Sequence, residues 1–116
     1  MTKIVFYKSG DVFYGFEEQG HTGYGEAGQD VLCAAISSMT MLIINAIEVV
    51  YASDVEYTID EKTTDIKLIA RGAIDDEDEK KRYAISGLLT AYFYQLNDLT
   101  EEYYDFLEVE ALEMPI

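Results

Sequence analysis

Residues 31–47 read VLCAAISSMTMLIINAI and carry no charged side chain. Apolar residues would face almost every direction of a helix formed here, so the pattern predicts a helix packed centrally against the rest of the protein. Asp30 is a typical N-cap in front of this helix, which is expected to end near Tyr51. A membrane span would normally be longer and have basic flanks, whereas Asp30 and Glu48 border this run. We therefore expect the core helix of a soluble protein that binds no membrane.

Strand-like segments lie on both sides of this helix. They are rich in β-branched and aromatic residues, or alternate apolar with polar positions. The segments are residues 2–8, 11–18, 54–60, 64–71 and 106–112. The acidic run 75–79 begins a second helix, whose apolar residues recur at helical spacing. The order ββαββαβ predicts a single domain, residues 1–116, with an α/β (α+β) fold: a two-layer sandwich of two helices on one face of a mostly antiparallel sheet.

The composition limits the possible partners. Eight Lys and Arg stand against 23 Asp and Glu, which gives a formal net charge of −15. Such a surface repels phosphate backbones, so no direct binding of nucleic acid is expected, whereas a basic polypeptide would be attracted. The alternative explanation is that the charge simply keeps a Tyr-rich domain soluble. The single Cys cannot form an internal disulfide and the N-terminal residues do not resemble a signal peptide, so we expect a cytoplasmic protein.

The only Cys and the only His of the chain lie near one another in the sequence. Cys33 stands near the start of the predicted central helix, and His21 lies in the Gly-rich segment 20–28 that precedes it. This segment predicts an exposed, flexible loop, and its glycines are Gly20, Gly23, Gly25 and Gly28. The N-terminus of a helix favours a thiolate, and a nearby imidazole can exchange a proton with it. Cys33 and His21 are therefore candidates for a nucleophile and its general acid/base.

Three neighbouring residues could support this pair. The backbone N–H groups of Cys33 and Ala34 could stabilise an oxyanion. Asp30 could orient His21, although a helix cap is its simpler role. Ser37 could hydrogen-bond the thiol or the helix carbonyl one turn earlier. Considered separately, Cys33 could also be a small buried hydrophobic residue, and His21 an ordinary polar loop residue.

Other cysteine or metal chemistry fits the sequence less well. A cysteine phosphatase would need an Arg where the chain has Met39, and a disulfide oxidoreductase would need a second Cys. The ligand spacing of a zinc site is missing from the sequence. No metal and no cofactor are therefore predicted.

Residues 20–37, GHTGYGEAGQDVLCAAIS, closely resemble the signature of the ribosomal-processing cysteine protease family. The Gly-His, Gly-x-Asp, Cys-Ala-Ala and final Ser elements of that signature all match, and Thr22 replaces a smaller Ala. The resemblance implies a catalytic dyad of Cys33 and His21 in a homodimeric α/β sandwich. It also implies a cysteine endopeptidase that removes a short N-terminal extension from a basic large-subunit ribosomal protein, cutting after an aromatic residue and before a small one.

One alternative belongs to a different class of function. The chain could be a non-catalytic, ribosome-associated binding or assembly module. In that case the Gly-rich loop 20–28 would recognise the partner and Cys33 would only pack in the core.

Overall fold

The computed structural model describes residues 1–20, 27–63 and 65–116, with residues 27–30 described by their backbone alone. Within these ranges the chain forms five strands and three helices. They are β1 (Thr2–Ser9), β2 (Val12–Gln19), α1 (Ala27–Asn45), β3 (Glu56–Ile59), β4 (Ile66–Ile69), α2 (Gly72–Asp75), α3 (Glu79–Glu102) and β5 (Leu107–Glu113). The predicted order ββαββαβ is confirmed, with the short helix α2 as an addition between β4 and α3.

The five strands form one mixed sheet in the order β3-β4-β2-β1-β5. β1 pairs with β2, β2 with β4, and β3 with β4, all antiparallel. β5 runs parallel to β1 at one edge of the sheet. The sheet is therefore mostly antiparallel, as predicted.

The inward face of the sheet is aromatic at its centre. Phe6 of β1 lies opposite Phe16 of β2, which in turn lies opposite Leu68 of β4, and all three side chains are fully buried. The ring of Phe6 packs edge-on against Tyr92 and Phe93 of α3, at centroid distances of 5.7 and 5.2 Å. Because side chains alternate between the two faces of a strand, these residues define the face on which the helices lie.

Helix α1 begins earlier than predicted. It starts at Ala27, so Asp30 lies within its first turn and the prediction of Asp30 as N-cap is wrong. Gly28, predicted as part of the flexible loop, also belongs to the helix. A carboxylate in the first turn interacts favourably with the helix dipole, so Asp30 suits this position as well. At its other end α1 continues as a π-helical turn, Ala46–Val50, close to the predicted end at Tyr51.

Helix α1 has one buried face and one exposed apolar face. Its buried residues include Leu32, Ile36, Ile43, Ile44 and Ile47. The opposite side carries an exposed row of uncharged residues, which we call the α1 stripe. It consists of Val31, Ala35, Ser38, Leu42, Asn45 and Val49. The predicted central core helix is thus buried on one side and exposed on the other. By length and composition alone, Val31–Val50 could also cross a membrane.

Candidate active site

Cys33 lies on α1 beside the edge of the buried face. Its side chain is partly buried and its thiol is free, while the neighbouring Leu32 and Ile36 are fully buried. Ala34 and Ser37 are exposed. Because residues four apart are neighbours on a helix surface, Ser37 lies next to Cys33 on the rim of the core. A thiol in this position is held by a rigid helix and is still reached by solvent.

The early start of α1 changes the role predicted for Ala34. Only the first four N–H groups of a helix have no partner within it, and here these belong to residues 27–30. Cys33 and Ala34 lie beyond that turn, where the N–H groups take part in the hydrogen bonds of the helix. In this conformation the two N–H groups are not free to stabilise an oxyanion.

Gly20 ends β2 in a conformation that suits glycine. Its φ is +83°, in the left-handed region, and a Cβ at this position would collide with the carbonyl oxygen of Met1. Its N–H donates a hydrogen bond to Asp65 Oδ1 at 3.1 Å. The backbone of Gly20 is therefore held between Met1 and Asp65, and Gly20 immediately precedes His21 in the sequence.

The structure describes only some of the other predicted site residues. His21, Gly23 and Gly25 lie outside the described residues, and Asp30 is described by its backbone alone. The structure thus brings Cys33, Ala34 and Ser37 together on α1 and places Gly20 at the end of β2.

Acidic side chains outnumber basic ones in this chain by 23 to 8. Residues 1–20, 31–63 and 65–116 contain no group of three or more His, Cys, Asp and Glu side chains that could hold a metal ion. Lys3 pairs with Glu110 at 3.6 Å, an ion pair in which both side chains are well exposed. The charge of −15 gives the protein a net negative field.

A buried polar cluster that was not predicted from the sequence lies between β2, α1 and α3. Glu18 of β2, Thr40 of α1 and Tyr92 of α3 form this Glu18 cluster. Glu18 Oε1 accepts hydrogen bonds from Thr40 Oγ1 at 2.6 Å and from the Tyr92 hydroxyl at 3.0 Å, and the two hydroxyl oxygens are 2.9 Å apart. Burial and the charge of Glu18 raise the pKa of Tyr92 well above its usual value, so its hydroxyl remains a donor.

The sequence contains a signal for this cluster. In β2, Phe16 faces the core, so the alternation of a strand places Glu18 on the same inward face. An acidic residue at an inward position needs hydrogen-bond partners, and polar residues on the buried faces of the two helices are the candidates.

The family comparison covers most of the chain. The family model described as cysteine protease Prp matches residues 1–108. The chain belongs to the Prp family of cysteine proteases. None of the curated proteins compared with it matches.

Solved structures share the Prp fold over nearly the whole chain. SMU.848 from Streptococcus mutans is 28% identical with a TM-score of 0.81, and the match covers 98% of this chain and 96% of that one. The S. aureus ribosomal processing protease Prp in complex with a substrate peptide is 16% identical, with a TM-score of 0.80 and coverage of 97% and 100%. Its complex with a covalently linked product peptide gives 18% identity, a TM-score of 0.76 and the same coverage. The sandwich predicted from the sequence is therefore the fold of the Prp structures.

Proposed function

We propose that the chain is a cysteine endopeptidase in which Cys33 is the nucleophile and His21 the general acid/base. The proposal is carried by one observation: the chain belongs to a family of cysteine proteases, and its sequence contains one Cys and one His. Cys33 is partly exposed on a rigid helix, as a nucleophile must be to reach a peptide bond.

The reaction follows from the two side chains. The Cys33 thiolate adds to the carbonyl carbon of the scissile bond and forms a tetrahedral intermediate. His21 then gives its proton to the leaving amine as the C–N bond breaks, which leaves a thioester on Cys33. His21 next accepts a proton from water, the water oxygen adds to the thioester, and the C–S bond breaks to release the acid and restore the thiolate. The N–H group of Ala34 has no part in this scheme because it lies inside α1.

We infer that the substrate is a large-subunit ribosomal protein with a short N-terminal extension. The signature in residues 20–37 and the relation to the S. aureus processing protease support this substrate. The charge of −15 supports it as well, because ribosomal proteins are basic and an acidic enzyme attracts them over a distance.

Two substrates of different charge test this proposal. The enzyme should cut the full-length ribosomal protein at one bond, after an aromatic and before a small residue, as mass spectrometry of the products would show. Between about 0.05 and 0.5 M NaCl, kcat/KM for this basic substrate should fall several-fold, because salt screens long-range attraction. A short peptide of zero net charge that copies the same junction is the control, and its kcat/KM should stay nearly constant. Absence of cleavage would contradict the proposed function and favour a binding module.

We also propose that two copies of the chain associate through the α1 stripe. In a two-fold dimer a surface patch contacts the same patch of the second copy, so a charged patch would place like charges opposite each other. Residues 31–47 carry no charge in a chain of net charge −15, and Val31, Leu42 and Val49 are about 60–70% exposed.

Leu42→Asp is expected to convert the dimer into a monomer, because it places two carboxylates opposite each other in an apolar contact. Multi-angle light scattering after size-exclusion chromatography would measure the mass. Tyr83→Asp, at a strongly exposed position of α3, is the matched control and should leave the dimer intact. A wild-type protein that stays monomeric at about 100 μM would refute the dimer.

The cellular setting follows from the same features. We propose a cytoplasmic enzyme that binds neither membranes nor nucleic acid directly. The buried face of α1 packs in the protein core, and the α1 stripe is assigned to the second copy rather than to lipid. The negative field opposes contact with phosphate groups of either kind.

A further inference from the structure

A carboxylate lies in the core between β2 and the two long helices. Glu18 is fully buried, and its partners in the neighbouring strands, Ile4 and Ile66, are buried apolar residues. One of its oxygens accepts hydrogen bonds from Thr40 and from Tyr92. A single carboxylate oxygen thus joins the sheet to both long helices.

The two elements joined by Glu18 carry the proposed catalytic residues. Only Gln19 and Gly20 stand between Glu18 and His21 in the sequence. Thr40 follows Cys33 by two helical turns, which places it about 10 Å farther along nearly the same line of α1. The hydrogen bond from Thr40 to Glu18 therefore joins the end of β2 to the helix that presents the thiol.

We propose that the Glu18 cluster is a positioning device, which holds the end of β2 leading to His21 in a fixed relation to the helix carrying Cys33. This inference rests on the proposed catalytic function of these two residues.

Directional bonds explain why a polar group occupies this place. An apolar side chain at position 18 would pack at lower cost, since burying a carboxylate requires full compensation by hydrogen bonds. Apolar contacts allow two elements to slide past each other, whereas bonds of 2.6 and 3.0 Å to one oxygen define both distance and direction. A protease needs that definition, because small shifts of its reacting groups cost large factors in rate.

Four variants separate positioning from mere stabilisation. Tyr92→Phe and Thr40→Val each remove one hydroxyl from the Glu18 cluster with little change in volume, and Thr40→Ser keeps the hydroxyl. Tyr14→Phe is the matched control. Tyr14 is 4% exposed, like Tyr92, but its hydroxyl bonds the carbonyl oxygen of Met114 at 2.6 Å, away from the cluster. For each variant, kcat and KM on the junction peptide and the thermal unfolding midpoint would be measured.

If the Glu18 cluster positions the catalytic residues, loss of one of its hydroxyl groups should lower kcat. Tyr92→Phe and Thr40→Val should lower kcat about tenfold with KM within about twofold, while Thr40→Ser and Tyr14→Phe should retain kcat. An active wild type whose kcat is unchanged in Tyr92→Phe and Thr40→Val, even with lower unfolding midpoints, would overturn this inference alone. A wild type without cleavage would overturn the proposed function and this inference with it.

Discussion

Cys33→Ala is expected to lower kcat/KM for the junction peptide by about 10³-fold or more, to the low level that binding alone supports. The reason is that the sequence offers no second thiol, so no other side chain can form the thioester. His21→Ala should cost a similar factor, and the double variant should lose little more, because nucleophile and base act as one unit. Chromatography of the products, at substrate concentrations well below KM, would measure kcat/KM for the two single variants and the double variant.

The fold of these variants is the necessary control. Cys33 is only partly buried and Ala is a better helix former, so the free energy of unfolding of Cys33→Ala should stay within about 1 kcal/mol of wild type. Thermal unfolding followed by circular dichroism would check this. A folded Cys33→Ala protein that still cleaves at the same bond would refute the assignment of the nucleophile.

The strands and the long helices were predictable because their patterns are local. The β-branched and aromatic residues of 2–8 and 11–18 predict β1 and β2, and Gly10 between these strands adopts a φ of +61°. The spacing of Ile85, Leu89, Tyr92 and Leu96 predicts the buried face of α3, and all four residues are buried. Patterns of this kind depend on residues a few positions apart, so one sequence suffices to detect them.

The features that the sequence analysis missed depend on distant parts of the chain. The apolar run of α1 does not reveal which of its sides meets the sheet, so the exposure of Val31 and Leu42 could not be predicted. The partners of Glu18 come from two helices that only the tertiary fold brings together. Helix α1 starts at Ala27 and not directly after Asp30. A carboxylate is favourable both at the N-cap and in the first turn of a helix, so Asp30 alone does not define where the helix starts. The signature around Cys33 indicated the protease family correctly, since its elements lie within one short segment.

Gly20→Ala is expected to damage both stability and activity. An Ala at a φ of +83° is strained by about 1–2 kcal/mol, and its Cβ would collide with the carbonyl oxygen of Met1, a backbone atom just before β1. Relief of the collision requires a shift of the Met1 backbone or of the end of β2, and a shift of β2 also disturbs the bond from the Gly20 N–H to Asp65. His21 follows directly, so kcat should fall about 10²-fold. Urea unfolding and steady-state kinetics measure the two effects.

Gly10→Ala separates backbone strain from collision. Gly10 also has a positive φ, of +61°, but a Cβ there meets no atom within 4 Å. This variant should therefore lose only about 1–2 kcal/mol of stability and keep kcat within about twofold, because the turn lies at the other end of β2 from Gly20. If both variants lose the same stability and neither loses kcat, the exit of β2 at Gly20 does not determine the position of His21. If only Gly20→Ala loses kcat, the close approach of Gly20 to Met1 contributes to the reaction beyond its effect on stability.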